Sequence, residues 1–179
     1  SYAESYSSSD YGLSIQTQEI YRGVEDSEFG DAVAVGDFNG DGFDDVAASM
    51  NEYGLNSAQD GIVFIYLGTA SGVLQASVMI NGIKDGAHLG YDTGSLQNLG
   101  DLNGDGFDDI LIGEPYDAVN GGDAYLIFGQ ADGFTDIDLS TAELNGNIGI
   151  RIQGDDQPDF SGISVSSAGD VNGDGFDDI

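Results

Sequence analysis

The chain contains no cysteine, which removes disulfides, thiolate nucleophiles and Cys-based zinc sites from consideration. Basic residues are scarce: three Lys and Arg stand against 33 Asp and Glu, for a formal charge of -30. A surface of that sign repels a phosphate backbone, so nucleic acid is not an expected partner. It also drives the chain apart unless cations or high salt screen it. Adaptation to salty surroundings and specific metal binding both answer such acidity, and the two are compatible. Long apolar runs are missing as well. The longest purely aliphatic and aromatic run, Ile62 to Leu67, falls far short of the roughly 20 residues a membrane helix needs, so no part of this segment is expected to span a bilayer. No charged and apolar leader follows Ser1, so any export signal is expected to have been removed or to lie outside the chain. Histidine occurs once, as His88 in the turn-like stretch Lys84-Asp85-Gly86-Ala87-His88. A lone loop histidine reads as solvated, which leaves acid–base catalysis little to work with.

What is present is enough for a core: 40% of the 179 residues are hydrophobic and 10% aromatic, which argues against wholesale disorder. Internal repetition is the dominant signal. The segment Gly36-Asp37-Phe38-Asn39-Gly40-Asp41-Gly42-Phe43-Asp44-Asp45 recurs at Gly100 to Asp109 and at Gly169 to Asp178, differing only where Phe38, Leu102 or Val171 stands. The first aspartates, Asp37, Asp101 and Asp170, are 64 and 69 residues apart, room for about four short strands per repeat. Asp31 to Val35 predicts a strand of small residues suited to a crowded centre. Val46 to Ala48 and Ile110 to Gly113 predict second strands, Ile62 to Gly68 and Ala124 to Gly129 buried third strands, and Ala76 to Ile80 and Gly149 to Gln153 fourth strands. The 29 glycines, with Asn-Gly and Asp-Gly pairs, punctuate these runs as turns. No stretch carries a sustained helical period.

Each acidic loop reads D-x-N-x-D-G-x-D-D, and its first six positions match the start of an EF-hand calcium loop. Oxygen donors at positions 1, 3 and 5 suit a hard divalent cation, with the carbonyl of position 7 as a further donor and position 9 closing the cage. The candidate ligands are therefore Asp37, Asn39, Asp41, Phe43 and Asp45 in the first loop, Asp101, Asn103, Asp105, Phe107 and Asp109 in the second, and Asp170, Asn172, Asp174, Phe176 and Asp178 in the third. Up to three Ca²⁺ ions are expected. An EF-hand places a bidentate Glu at position 12, where this chain has Ala48 and Ile112. The loops thus join strands, and helical calcium motifs are excluded. Asp44, Asp108 and Asp177 at position 8 are expected to point outward. An ordinary hairpin turn needs one or two such residues, whereas eight of the ten here are Asp, Asn or Gly in a fixed order.

These features resemble the FG-GAP repeat of integrin-α-type β-propellers and of many bacterial or archaeal-like surface proteins. Phe29-Gly30 looks like the opening FG, Gly36 to Gly42 like the central signature and Gly113-Glu114-Pro115 like the closing GAP. Thr93-Gly94 or Leu89-Gly90 serves as the second FG, Ala48-Ser49-Met50 replaces the first GAP, and Phe160-Ser161-Gly162 carries an inserted residue. The resemblance implies an all-β fold of four-stranded antiparallel blades, with calcium loops between first and second strands. The chain then divides into a tail or linker at 1–12, an outer strand of a preceding blade at 13–28 (centred on 13–22), repeat 1 at 29–88, repeat 2 at 89–159 and the start of a truncated repeat 3 at 160–179. That is a partial propeller of about two complete blades plus parts of two others. Propellers close with about four to eight blades. Either a longer chain supplies the rest, or a neighbouring copy completes the unfinished blade by strand addition at an open edge.

The resemblance further implies an extracellular, secreted or cell-surface protein that is not an enzyme: a calcium-stabilised adhesion or protein-interaction scaffold, since integrins bind protein ligands on the face opposite the calcium loops. No integrin ligand-binding residue transfers to this chain. A structural subunit of a surface filament and a lectin-like carbohydrate-binding module are the alternatives. Tyr53, Tyr91 and Tyr116 near turns could stack on a glycan, against which stands their simpler reading as packing residues.

Overall fold

A computed structural model describes residues 28–51, 60–72, 75–83, 86–116, 121–131, 134–142, 144, 146–155 and 159–179. The tail at 1–12, the strand expected at 13–22 and Tyr53 lie outside these residues. Nine strands are present among them: β1 (Phe29–Gly36), β2 (Asp45–Met50), β3 (Ile62–Leu67), β4 (Gln75–Asn81), β5 (Leu96–Asn98), β6 (Ile110–Glu114), β7 (Asp123–Ile127), β8 (Ile137–Asp138) and β9 (Gly149–Gln153). The protein is all-β. One sheet runs β1-β2-β3-β4-β8 and the other β5-β6-β7-β9. All pairings are antiparallel except β4 with β8.

The alternation of side chains along each strand explains how the sheets stack. In β3, Val63 and Ile65 enter the core shared by the two sheets, whereas Ile62, Phe64 and Tyr66 enter a separate cluster on the far face. In β7, Tyr125 and Ile127 point into the shared core, and Ala124 and Leu126 point away from it. A strand with apolar partners on both faces reads as a continuous apolar run, which is how β3 and β7 look in sequence. The shared core contains Ile65, Ile80, Leu96, Ile110, Ile112 and Ile127, all fully buried. Burial of each such side chain stabilises by about 1.5–3 kcal/mol, so the seam between sheets is the main apolar store of the fold. In β1, Ala32 and Ala34 are buried while Val33 and Val35 are exposed. Small inward residues let β1 lie beside β5.

The fifth strand of the first sheet departs from the expected four. The connection after β7 leaves its own sheet, and β8 pairs in parallel with β4, Ile137 opposite Ile80. Phe134, Ile137 and Leu139 bury against the shared core. Met79 N–H donates to Asp136 Oδ1 at 2.9 Å and Leu139 N–H to the Asn81 carbonyl at 3.0 Å. The outer edge of the first sheet is thereby covered by a segment of the second repeat.

Candidate metal centre

The acidic loops connect β1 to β2 and β5 to β6, and strand pairing sets their mouths: Gly36 pairs with Asp45, and Leu99 and Gly100 bond to Asp109. Within the first loop Asp41 N–H is shared by Asp37 Oδ1 at 3.0 Å and Asn39 Oδ1 at 2.9 Å. Gly42 N–H donates to Asp37 Oδ2 at 2.9 Å and Phe43 N–H to Asp41 Oδ1 at 2.9 Å. This winding requires left-handed backbone at Gly40 (φ 69°) and Gly42 (φ 86°), which glycine adopts without a Cβ clash. The second loop repeats each bond with Asp101, Asn103 and Asp105, at 2.9 to 3.1 Å. The third does so with Asp170, Asn172 and Asp174, where Asp174 N–H lies 3.0 Å from Asp170 Oδ1 and 2.9 Å from Asn172 Oδ1. Asn172 differs in one respect, turning its amide to Asp178 at 3.3 Å instead of to the position-5 aspartate.

In the first two loops the position-9 aspartates are the buried members, whereas Asp178 in the third is half-buried. Asp45 and Asp109 are fully buried. Asp45 Oδ2 accepts Phe38 N–H at 3.0 Å and Oδ1 accepts Gly68 N–H at 2.8 Å. Asp109 accepts Leu102 and Gly129 N–H, both at 3.0 Å. Burial pushes the Asp45 carboxyl above the ordinary aspartate range, and the Asp41 and Asp37 charges push the same way against the two amides. Burial likewise raises Asp109 to about 6. Phe43 and Phe176 have exposed side chains.

One position-8 residue corrects the sequence reading. Asp44 and Asp177 are exposed, as expected, but Asp108 is half-buried and turned toward the first loop. Its Oδ2 accepts Asp37 N–H at 3.1 Å and Asn98 Nδ2 at 3.0 Å. The sequence cannot separate the three because their local motifs differ only at one apolar position, and the difference comes from the neighbouring blade.

Among the described residues no three His, Asp or Glu side chains converge as a closed cage. In each loop, however, an Asp and an Asn oxygen already meet at one N–H, with a second Asp beside them. Carboxylate and amide oxygens retain a second lone pair when they accept one hydrogen bond. The donor set is all oxygen and strongly anionic, so it fits a hard cation such as Ca²⁺ and not a thiolate- or imidazole-seeking metal.

Comparison with known proteins agrees with this geometry. The FG-GAP repeat model matches residues 29–66 and 98–127. The chain belongs to the FG-GAP repeat family. It is 31% identical over 160 residues to integrin alpha-4 of Xenopus laevis, covering 86% of this chain and 14% of that protein. It is 34% identical over 123 residues to integrin alpha-3 of Mus musculus, 66% of this chain and 10% of that protein. With integrin alpha-V of Gallus gallus it shares 30% identity over 172 residues, 96% of this chain and 15% of that protein. The chain thus spans about a seventh of the length of the first of these relatives. Its two sheets are blades of an FG-GAP propeller.

The FG-GAP frame in the fold differs in places from the one read in sequence. Gly30, Gly90 and Gly162 all have positive φ, and each is preceded two residues earlier by a non-glycine of positive φ: Glu28, His88 and Phe160. Leu89-Gly90 is therefore the second opening, not Thr93-Gly94, and Leu89 is fully buried. Ser161-Gly162 is the third, with no inserted residue. A Cβ on Gly90 would meet Ser49, and one on Gly113 would meet the Gly162 backbone. Ser49 thus corresponds to Gly113, so the first GAP position is Ser49-Met50-Asn51, one residue later than read.

On the face away from the loops, His88, Tyr91, Tyr116 and Phe160 form an aromatic chain, with ring centroids 5.3 Å apart for His88–Tyr116, 4.8 Å for Tyr91–Tyr116 and 5.5 Å for Tyr116–Phe160. His88 is half-buried in this cluster instead of simply solvated. Tyr91 and Tyr116 pack edge to face, committing ring surface to each other. Beside them, Tyr125 Oη donates to Glu114 Oε2 at 2.9 Å, Glu114 Oε1 accepts Ile83 N–H at 2.9 Å, and Arg151 pairs with the buried Asp123. Sequence reasoning passed over this network. Its only signal is the acidic residue at each end of the β6–β7 connection.

Proposed function

We propose that the chain is a calcium-stabilised, extracellular stretch of an integrin-α-like propeller that serves as a cell-surface adhesion or protein-interaction scaffold and performs no catalysis. The observation that carries the calcium reading is the convergence of Asp37 and Asn39 oxygens on a single Asp41 amide, repeated at Asp105 and Asp174. Asp37, Asn39, Asp41, the Phe43 carbonyl and Asp45, with their counterparts in the other loops, would hold the ion. Calcium would supply positive charge where the loops concentrate negative charge. The protein residues wind the loop, fix the donor directions and keep Asp45 and Asp109 away from solvent. The integrin relatives support the extracellular setting and a protein ligand. A glycan ligand gains less support, because the Tyr91 and Tyr116 rings pack on each other.

A second reading, assembly by strand or blade addition between copies, is favoured by exposed apolar side chains on edge strands: Val33 and Val35 on β1, Ile150 and Ile152 on β9. Thermal melting with light-scattering mass, in millimolar calcium and in excess EDTA, tests both. A higher melting temperature in calcium at monomeric mass supports the stapled scaffold. Large assemblies that form only in calcium support the self-completing subunit. An unchanged melting curve in EDTA would rule out calcium as the stabiliser.

A further inference from the structure

The first and second loops are not independent turns. Residue 37 opens the first loop, and residue 108 holds it from both sides of its peptide: Asp37 N–H donates to Asp108 Oδ2 at 3.1 Å, and Asp108 N–H donates to the Asp37 carbonyl at 3.1 Å. Asn98 braces the pair, its Nδ2 donating to Asp108 Oδ2 at 3.0 Å and to the Val35 carbonyl at 2.8 Å. Next to Asp108, the Phe107 ring lies on Gly40, where an added Cβ would come within 2.5 Å of Cε1 and 2.6 Å of Cδ1. Gly40 therefore serves the neighbouring loop as well as its own turn. In chain order, residue 108 stands between the carbonyl donor Phe107 and the buried Asp109.

We infer that Asp108 and Phe107 are positioning residues that couple cation binding in the second loop to the first, so that the two loops fill as one cooperative unit. This rests on the calcium reading proposed above. When Phe107 and Asp109 close around an ion, residue 108 is fixed between them. Its two hydrogen bonds then fix Asp37, whose carboxylate organises the Asp41 and Gly42 amides. The first loop is ordered before its own ion arrives, and the cost of that ordering is shared. The sign of the coupling identifies its route. Two cations acting through space repel, which makes the second ion bind more weakly. A mechanical link through residue 108 makes it bind more tightly. The third loop is an internal contrast: Asp177 is exposed, and the Phe176 ring is 3.7 Å from a Cβ placed on Gly104. Its binding is expected to be nearly independent.

The test is a calcium titration of the EDTA-stripped, ¹⁵N-labelled protein by NMR, following Gly42 for the first loop and Gly106 for the second. In Asp108→Ala both midpoints are expected to rise: with coupling of about fivefold, the low end of the typical range, each moves about twofold if the loops fill together, and the Gly42 midpoint takes the whole fivefold if the second loop fills first. Because coupling is reciprocal, Asp101→Ala should weaken the first loop by the same factor by which Asp37→Ala weakens the second. That pair decides the matter if Asp108→Ala does not fold. An unchanged Gly42 midpoint in folded Asp108→Ala, or a first loop that tightens in Asp101→Ala, overturns the coupling while leaving calcium binding intact. If neither glycine moves with calcium in the parent protein, the calcium reading itself fails and takes the coupling with it.

Discussion

The Asp45 carboxylate accepts the amide of Gly68 at 2.8 Å, tying the end of an acidic loop to the glycine that ends the third strand of the same blade. Asp109 makes the same bond to Gly129 at 3.0 Å. Position 9 therefore has a structural task whether or not an ion is present: it satisfies two backbone amides that would otherwise be buried without partners. Losing a partner for a buried amide costs about 1–3 kcal/mol each. Asp109→Ala, which strands the Leu102 and Gly129 amides, is expected to lower unfolding free energy by about 2–4 kcal/mol in EDTA. Urea denaturation reads this directly, and a loss below about 1 kcal/mol would contradict the assignment.

The raised carboxyls of Asp45 and Asp109 give metal-free protein an unusual acid response. Each binds a proton more tightly folded than unfolded, so the folded state gains protons first as pH falls. In EDTA, stability should therefore rise as pH drops from 7 through about 6, where Asp109 titrates, and the gain is complete below the unfolded aspartate value of about 3.9. Melting temperature measured across that range checks it. A monotonic decline from pH 7 to 5 in EDTA would refute the burial-driven shift.

The seam between blades is expected to behave as one core. Ile65→Ala removes a fully buried side chain from the cluster shared by both sheets and should cost about 2–5 kcal/mol. Ile150→Ala, on an exposed position of β9, should cost no more than about 0.5 kcal/mol. Unfolding followed by tyrosine fluorescence and by far-ultraviolet circular dichroism should give coincident transitions in both variants. Separate transitions would show that the blades unfold individually.

Gly61 marks where the second blade's opening passes close to the first. Its φ is 79°, and an added Cβ would collide with the Leu89 backbone. Gly42, by contrast, has positive φ but open space around it. Gly42→Ala should cost about 1–2 kcal/mol from the left-handed backbone alone, and Gly61→Ala distinctly more. Equal losses, measured by thermal melting, would mean the interblade contact bends without resistance.

Much of this was legible along the chain. The apolar run at 62–67 is β3, because a strand buried on both faces carries its signal in consecutive residues, and the expected strand at 149–153 is β9, alternating along a mostly exposed edge. The acidic loops were equally plain: their winding depends on Asp, Asn and Gly at fixed offsets within ten residues, and every bond of Asp37, Asn39 and Asp41 inside the loop is local. By contrast, β8 was invisible. Two residues, Ile137 and Asp138, have no periodicity to read, and their partner strand lies 57 residues away.

The same division runs through the candidate site. Composition and spacing alone determined the anionic, all-oxygen donor set and its repetition, since those are properties of residue type and local distance. Only the tertiary structure decided that Asp108 turns inward while Asp44 and Asp177 do not, that Ser161-Gly162 opens the third repeat, and that His88 joins Tyr91 and Tyr116. Each of those depends on which blade comes to lie beside the residue. Nearly identical local sequences have different fates where the chain brings different neighbours to them, and that choice is made by burial across the seam between sheets.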